Sequence, residues 1–318
     1  MSTPLARLDL NWQPVSPERS QLGESPFWHP HEQMLYWVDI PGRELLRCNV
    51  FTGHIEHWAL PSEPGCVAPA RAGGVVLALR DGVYRAREWG GALQRIAGFS
   101  HDPSTTRFND GRCDPQGRFW AGTIYEPRDR RLGELFSVDA REGGKPTLAL
   151  RAINNVVSNG LAWSPDGRTL YWADTQDHRI DAWHCDPASG ALSRHRLFAQ
   201  LPPKPEGFRS DDMAAAAGYG GRPDGAAVDV EGNYWSAQFE GGRLLKFSPA
   251  GELLAEVPLP ARCPTMPCFG GDDGRTLYVT TASRGRPAAE TEHWPHNGCV
   301  LAARVEVPGL PVNFFAEG

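Results

Sequence analysis

Apolar and polar residues alternate along this chain in short runs, and no helical stripe extends beyond a few turns. The clearest runs are MLYWVD (34–39), VVLAL (75–79), RFWAG (118–122), TLYWAD (169–174), NYWSA (233–237) and TLYVT (276–280). Each is rich in aromatic or β-branched residues and reads as a β-strand. With Trp37, Leu77, Trp120, Trp172, Trp235 and Val279 as landmarks, the spacings are 40, 43, 52, 63 and 44 residues. Segments between the landmarks, such as ELLRCNVFTGHIEHW and RLLKFSPAGELLAEV, read as strand, Gly-bearing turn and strand. Periods of this size belong to four-stranded propeller blades, so the pattern predicts an all-β chain: one six-bladed β-propeller domain over 1–318. An N-terminal strand near 7–13 is expected to complete the last blade beside 300–305.

Composition agrees with many short strands. The 318 residues include 35 Gly and 28 Pro, with 41% hydrophobic and 22% charged residues. That many turn formers leaves little room for long helices. The net charge is −6 with no Lys/Arg-rich run, which points away from nucleic acid as a partner. No apolar run approaches membrane-spanning length, and MSTPLARLDLNW lacks the apolar core of a signal peptide, so no membrane contact and a cytoplasmic location are expected. Seven scattered cysteines show no zinc spacing and are expected to be free, mostly buried thiols.

The longest spacing contains PPKPEGFRSDDMAAAAGYGGRPDG (202–225). Its glycines follow no strand and open no βαβ unit, so they are not a dinucleotide fingerprint. A loop over one face is expected, with a helical turn at 211–217. Whether it is a lid or an exposed connection stays open.

One polar position recurs within the repeats. In SNGLAWSPDGRTLYWADT (158–175), Asn159 stands eight residues before the turn glycine, Gly167. The same register gives Asn109 before Gly117 and Asp224 before Gly232. Counted back from Trp28 it gives Glu24, while blades two and six carry Gly65 or Cys66, and Met266. The first strand of each propeller blade faces the central channel, so these positions form a ring. Four oxygen-bearing side chains on one ring suit a hard divalent cation, calcium first, then magnesium or manganese, with zinc less favoured.

The segments LGESPFW (22–28), RFNDGRCDPQGRFWAGT (107–123), SNGLAWSPDGRTLYWADT (158–175), RPDGAAVDVEGNYWSAQ (222–238) and CFGGDDGRTLYVTTA (268–282) resemble the senescence marker protein-30 (regucalcin)/gluconolactonase family of sugar lactonases. The resemblance implies one divalent metal held by Glu24, Asn159 and Asp224. It also implies substrate contacts from Arg107 and Asn109, with Asp110 beside them. Some members place consecutive acidic residues after the Gly-Thr of blade three. Here that stretch reads GTIYEPRDRR, which leaves Glu126 as the candidate for a sugar contact.

Such a site predicts metal-dependent hydrolysis of a sugar lactone, an aldono-1,5- or 1,4-lactone, to the aldonic acid. Asp224 is expected to act as ligand and as the base that takes a proton from water. The ring motifs carry few basic residues, Arg107, Arg112 and Arg222, which predicts an unphosphorylated lactone. Two other readings remain: a calcium-propeller hydrolase of aryl esters or organophosphates, and a non-catalytic calcium-binding propeller. Nucleophile chemistry is disfavoured, because Gly23-Glu24-Ser25-Pro26 is no nucleophile elbow and the ten histidines form no HExxH. Asp174, at the end of YWAD, is expected to bond nearby backbone or Thr175.

Overall fold

Each aromatic run becomes the second strand of an antiparallel blade in the computed structural model, which describes residues 5–212 and 218–318. Six blades surround one channel, and the chain is a β-propeller. The innermost strands are Gly23–His29, Pro64–Pro69, Thr106–Cys113, Ser158–Trp163, Arg222–Val228 and Pro264–Gly270, for blades 1 to 6. A short helix, Ala288–His293, lies in the excursion between the second and third strands of blade 6. No helix among the described residues is long and apolar enough to cross a membrane.

The inner strands are buried along nearly their whole length, and apolar layers fill the gaps between blades. Between blades 3 and 4, Trp120, Leu135, Leu161, Trp163 and Trp172 form one cluster, with the Trp120 and Trp163 rings 5.4 Å apart, edge to face. Burying side chains of this size contributes on the order of 2–3 kcal/mol each. The turn carboxylates hold the indoles in place. Asp114 accepts from Trp120 Nε1 at 2.9 Å, and Asp229 accepts from Trp235 Nε1 at 3.0 Å. This explains the acidic residue that opens the DPQG and DVEG turns. All seven cysteines are free and buried.

Closure differs in detail from the sequence expectation. Gln13–Pro14 pairs with Leu301–Arg304 and completes blade 6, but Ala6–Arg7 pairs in parallel with Leu253–Pro258 as a fifth strand of blade 5. The residues between cross from one blade to the next. Leu10 and Trp12 pack into the core between blades 5 and 6, and Trp12 Nε1 donates to the Pro258 carbonyl at 2.7 Å. Their alternation, which reads as a strand, records a crossing buried on one side.

The final residues seal the face opposite the inner-strand starts. Phe315 N donates to Pro69 O at 2.8 Å, Ala316 N to Gly117 O at 2.9 Å and Gly318 N to Ala140 O at 3.0 Å. Phe315 is fully buried in the core of blades 2 and 3. Behind this segment a cavity of about 210 Å³, lined by Phe27, Trp163, Met266 and Leu310 among others, occupies that end of the channel.

Every inner strand carries one extra residue relative to its partner. The register shifts fall between Glu24 and Phe27, Pro64 and Cys66, Phe108 and Gly111, Asn159 and Ala162, Pro223 and Ala226, and Pro264 and Met266. A β-bulge bends a strand locally and re-aims its side chains. Here all six lie at the register position that the repeats single out. Gly160 follows Asn159 with φ +61°, a conformation that favours glycine. At Gly65 a side chain would run into the backbone of Phe108 and Asn109, so blade 2 packs directly against blade 3 here and supplies no ligand from this position.

Candidate active site

The bulges bring Glu24, Asn109, Asn159 and Asp224 to one end of the channel, each only 4–8% exposed. The entry to two of these strands is held from below. Asp174, at the end of its strand, accepts the backbone N–H groups of Val156 (2.8 Å), Val157 (3.2 Å) and Gln176 (3.2 Å). Asp39 accepts those of Gln21 (2.8 Å) and Leu22 (3.1 Å) in blade 1. The backbone role expected for Asp174 is therefore found, and it places the residues just ahead of Asn159.

The two amides of the ring are bonded to each other. Asn109 Nδ2 donates to Asn159 Oδ1 and to the Ser158 carbonyl, both at 2.9 Å. Arg107 donates to Asn109 Oδ1 at 2.7 Å and to the Phe108 carbonyl at 2.9 Å. Both amide hydrogens of Asn109 are thus used within the protein, which leaves it acceptor capacity alone for a ligand. Asn159 Nδ2 donates to Thr175 Oγ1 at 2.7 Å, and Thr175 gives its only hydroxyl hydrogen to the Pro223 carbonyl at 2.7 Å. Thr175 can therefore only accept from Asn159, and this sets the amide orientation with Oδ1 towards Asn109.

The carboxylates are crowded. Asp224 is pushed up to about 8, first by burial and then by Asp110, against the opposing pull of Arg222, the Gly225 N–H and Arg107. Glu24 is raised well above the usual carboxylate range by burial, then by Asp224 and Asp110. Asp110 is raised by burial as well; its Oδ2 accepts the Leu161 N–H at 2.7 Å, and its buried Oδ1 has no hydrogen-bond partner among the described residues. Three buried carboxyl groups in mutual repulsion favour either protons or a cation between them.

Two carboxylates with an oriented amide oxygen form a hard-oxygen donor set, and the orphaned Asp110 oxygen adds a further acceptor nearby. The residues fit a divalent cation with oxygen preference. Among the described residues no group of three or more His, Cys, Asp or Glu gathers as a metal cluster. The expected set has two carboxylates, and its third member is an amide.

The rim above the ring is charged. Glu126 is paired with Arg80 at 2.9 Å and Arg107 at 3.4 Å, so it stands at the mouth beside the arginine expected to meet substrate. Glu240 is paired with Lys204 at 2.5 Å, Arg286 at 3.1 Å and Arg222 at 3.4 Å. The described parts of the connection between blades 4 and 5, 202–212 and 218–221, are tied to this face at two points. Lys204 ties it to blade 5, and Tyr219 Oη lies 2.6 Å from His178 Nε2. Of the helical turn expected at 211–217, residues 213–217 lie outside the described residues.

Sequence reading missed two residues here. Thr175 orients Asn159; it ends the quoted motif, and a hydroxyl directly after the YWAD strand was the available signal. Arg128 stands on the rim in the departing stretch GTIYEPRDRR with φ +60°.

Comparison with known proteins agrees with this architecture. Residues 22–283 match the family model described as the SMP-30/gluconolactonase/LRE-like region. The chain is 44% identical to a 6-deoxy-6-sulfogluconolactonase of Pseudomonas putida over 297 residues, covering 93% of this chain and 96% of that protein. It is 34% identical to regucalcin of Danio rerio, covering 93% and 95%. A crystal structure of regucalcin from Agrobacterium tumefaciens superposes with a TM-score of 0.86 at 24% identity, covering 98% and 99% of the two chains, which shows the shared fold. The propeller, the register of its ring and these matches together make the chain a member of the SMP-30/gluconolactonase/LRE-like family.

Proposed function

We propose that the protein hydrolyses an aldonolactone to its aldonic acid at the channel mouth, with a divalent cation, calcium first, as cofactor. The reading rests on Glu24, Asn159 and Asp224 standing buried at equivalent register positions of three inner strands, beside an arginine and an amide that are hydrogen-bonded to each other. The name of the Pseudomonas putida relative specifies a lactonase acting on a gluconolactone ring, which supports the same reaction class. Charged and amide groups line the mouth, and they suit a polyol ring better than an aryl ester.

Glu24, Asn159 and Asp224 would hold the cation through three oxygens. When bound, it supplies Lewis-acid polarisation of the lactone carbonyl and lowers the pKa of water. The chain's own groups do the remainder. Asp224 takes a proton from the attacking water as the new C–O bond forms at the carbonyl carbon. Collapse of the tetrahedral centre breaks the ring C–O bond, and the ring oxygen leaves as a hydroxyl by taking back the proton that Asp224 received. Arg107 donates to sugar or ring oxygens, held in place by Asn109 and Glu126. Asn109 offers its remaining acceptor lone pair to a sugar hydroxyl. Asp110, buried at the channel wall, keeps the site anionic and retains an open acceptor oxygen.

The direct test is a pH-stat assay on glucono-1,5-lactone and a pentono-1,4-lactone, with and without EDTA. Turnover that disappears on chelation and returns with calcium supports the proposal. Turnover unchanged after exhaustive chelation would remove the cation from it. A calcium-binding protein that leaves every lactone intact would favour the non-catalytic reading.

A further inference from the structure

Blade 2 places no oxygen on the ring, yet the turn after its second strand reaches the site. Leu79, the last residue of that strand, pairs with Pro64, the first of the inner strand, so the chain turns at Arg80 on the mouth side. The Arg80 side chain is 19% exposed and meets three acceptors. Nε donates to Glu63 Oε2 at 3.0 Å, and Nη1 donates to the Pro103 carbonyl at 2.8 Å and to Glu126 Oε2 at 2.9 Å. Pro103 precedes the inner strand of blade 3, Thr106–Cys113, and Glu126 follows that blade's second strand, Phe119–Tyr125. One guanidinium therefore joins blade 2 to both sides of the Arg107 strand.

Glu126 passes this hold on to Arg107. One of its oxygens accepts from Arg80, and the other lies 3.4 Å from Arg107 Nε. Arg107 Nη1 is already engaged by Asn109 Oδ1 at 2.7 Å and the Phe108 carbonyl at 2.9 Å. A guanidinium held at one nitrogen can swing about that contact, whereas one held at two presents a fixed edge. For Arg107 that edge is Nη2, which makes no hydrogen bond or ion pair among the described residues. Glu126 does not hold this position unaided. Its side chain is 39% exposed, and an isolated pair to so exposed a carboxylate contributes little. Arg80, fixed at Glu63 and Pro103, is the anchor. Charges alternate from Glu63 through Arg80 and Glu126 to Arg107, and such a network restrains each member more than a lone pair does.

We infer that Arg80 is a positioning residue for the lactone: through Glu126 it fixes the plane of the Arg107 guanidinium and leaves Nη2 as the edge offered to substrate. The inference rests on the lactonase reading and adds to it a residue of blade 2 that lies outside the ring motifs. It also changes the part of Glu126, the candidate for a sugar contact. Both oxygens of Glu126 face arginines, and it acts as the link between them.

The test is a double-mutant cycle on KM for glucono-1,5-lactone with the calcium-loaded protein. Arg80→Met should raise KM roughly tenfold, near the lower end of what one charge-assisted hydrogen bond is worth. Its kcat and calcium affinity should be little changed, because Arg80 bonds none of the proposed cation ligands. In an Arg107→Met background the same change should raise KM no further, since nothing is left to position. An arginine with a merely structural role would act equally in both backgrounds. KM does not depend on how much of a preparation is folded. Arg80→Lys keeps the charge without the fork, should raise KM by less, and replaces Arg80→Met in the cycle if that variant does not fold. An unchanged KM in the Arg80 variants, or an equal rise with and without Arg107, overturns the positioning role and leaves lactone hydrolysis standing. If no lactone is hydrolysed, the lactonase reading fails, and calorimetry with gluconate decides the role alone. Gluconate binding weakened by Arg80→Met, with no further loss in the Arg107→Met background, upholds it; equal binding, or none by the parent protein, overturns it.

Discussion

Asn109 Nδ2 donates to Asn159 Oδ1 across 2.9 Å, joining the inner strands of blades 3 and 4 at the channel mouth. Arg107 donates to the other end of the same amide at 2.7 Å. Asn109 therefore links the expected substrate arginine to an expected cation ligand, and acts first as a positioning residue. Thr175 holds Asn159 from the opposite side at 2.7 Å.

Removing either support should loosen the cation. Partners that orient metal ligands are typically worth about 10–100-fold in metal affinity. Asn109→Ala and Thr175→Val are both expected to weaken calcium binding within that range by calorimetry, with kcat recovered at saturating calcium. Only Asn109→Ala should also raise KM, because it releases Arg107. Unchanged calcium affinity in both variants would show that the amide network is passive.

Asp224 and Glu24 should respond differently to excess cation. Asp224→Asn retains a coordinating oxygen and loses its basicity, so kcat should fall roughly 10²–10⁴-fold without rescue by metal. Glu24→Gln weakens the site and leaves the base in place, so high calcium should recover much of its activity. Equal recovery of the two variants would reduce Asp224 to a ligand.

Without metal, Asp224 should make the protein less stable as pH rises. Its folded-state pKa of about 8 lies above the ordinary value of 3.8. Between these values the folded protein holds a proton that the unfolded chain has released, so stability falls with rising pH across that window. The Tm of the EDTA-treated protein should therefore drop from about pH 5 to about pH 8, and Asp224→Asn should flatten the slope. Calcium should stabilise more at the upper end, where protons no longer compete for the ligands. A metal-free Tm that is level or rises over this range, in the parent protein and the variant alike, contradicts the assignment.

The C-terminal segment should carry stability without touching the chemistry. Phe315 is fully buried between blades 2 and 3; its own N–H bonds Pro69 O, and those of Ala316 and Gly318 bond Gly117 O and Ala140 O. Phe315→Ala is expected to cost about 3–5 kcal/mol in denaturant unfolding, with kcat/KM of the remaining folded protein unchanged. A loss below about 1 kcal/mol would mean that the segment is only loosely attached.

What the sequence determined by itself was the blade and its repeated polar position. Strand alternation and turn glycines are local, and a repeat places equivalent residues around one axis whatever else the chain does. Glu24, Asn109, Asn159 and Asp224 were legible for that reason. The tertiary structure decided what depends on neighbours in other blades. The approach of blade 4 to blade 5 made Thr175 a support for Asn159, through a bond to Pro223 that strand pattern does not encode. The Leu10 and Trp12 alternation suits a strand and a buried crossing equally, and packing between blades 5 and 6 chose the crossing. Arg128 lies on a loop without periodicity. The field that Arg222, some ninety residues further along, exerts on it follows from closure of the propeller, which sets charges from distant segments around a single opening.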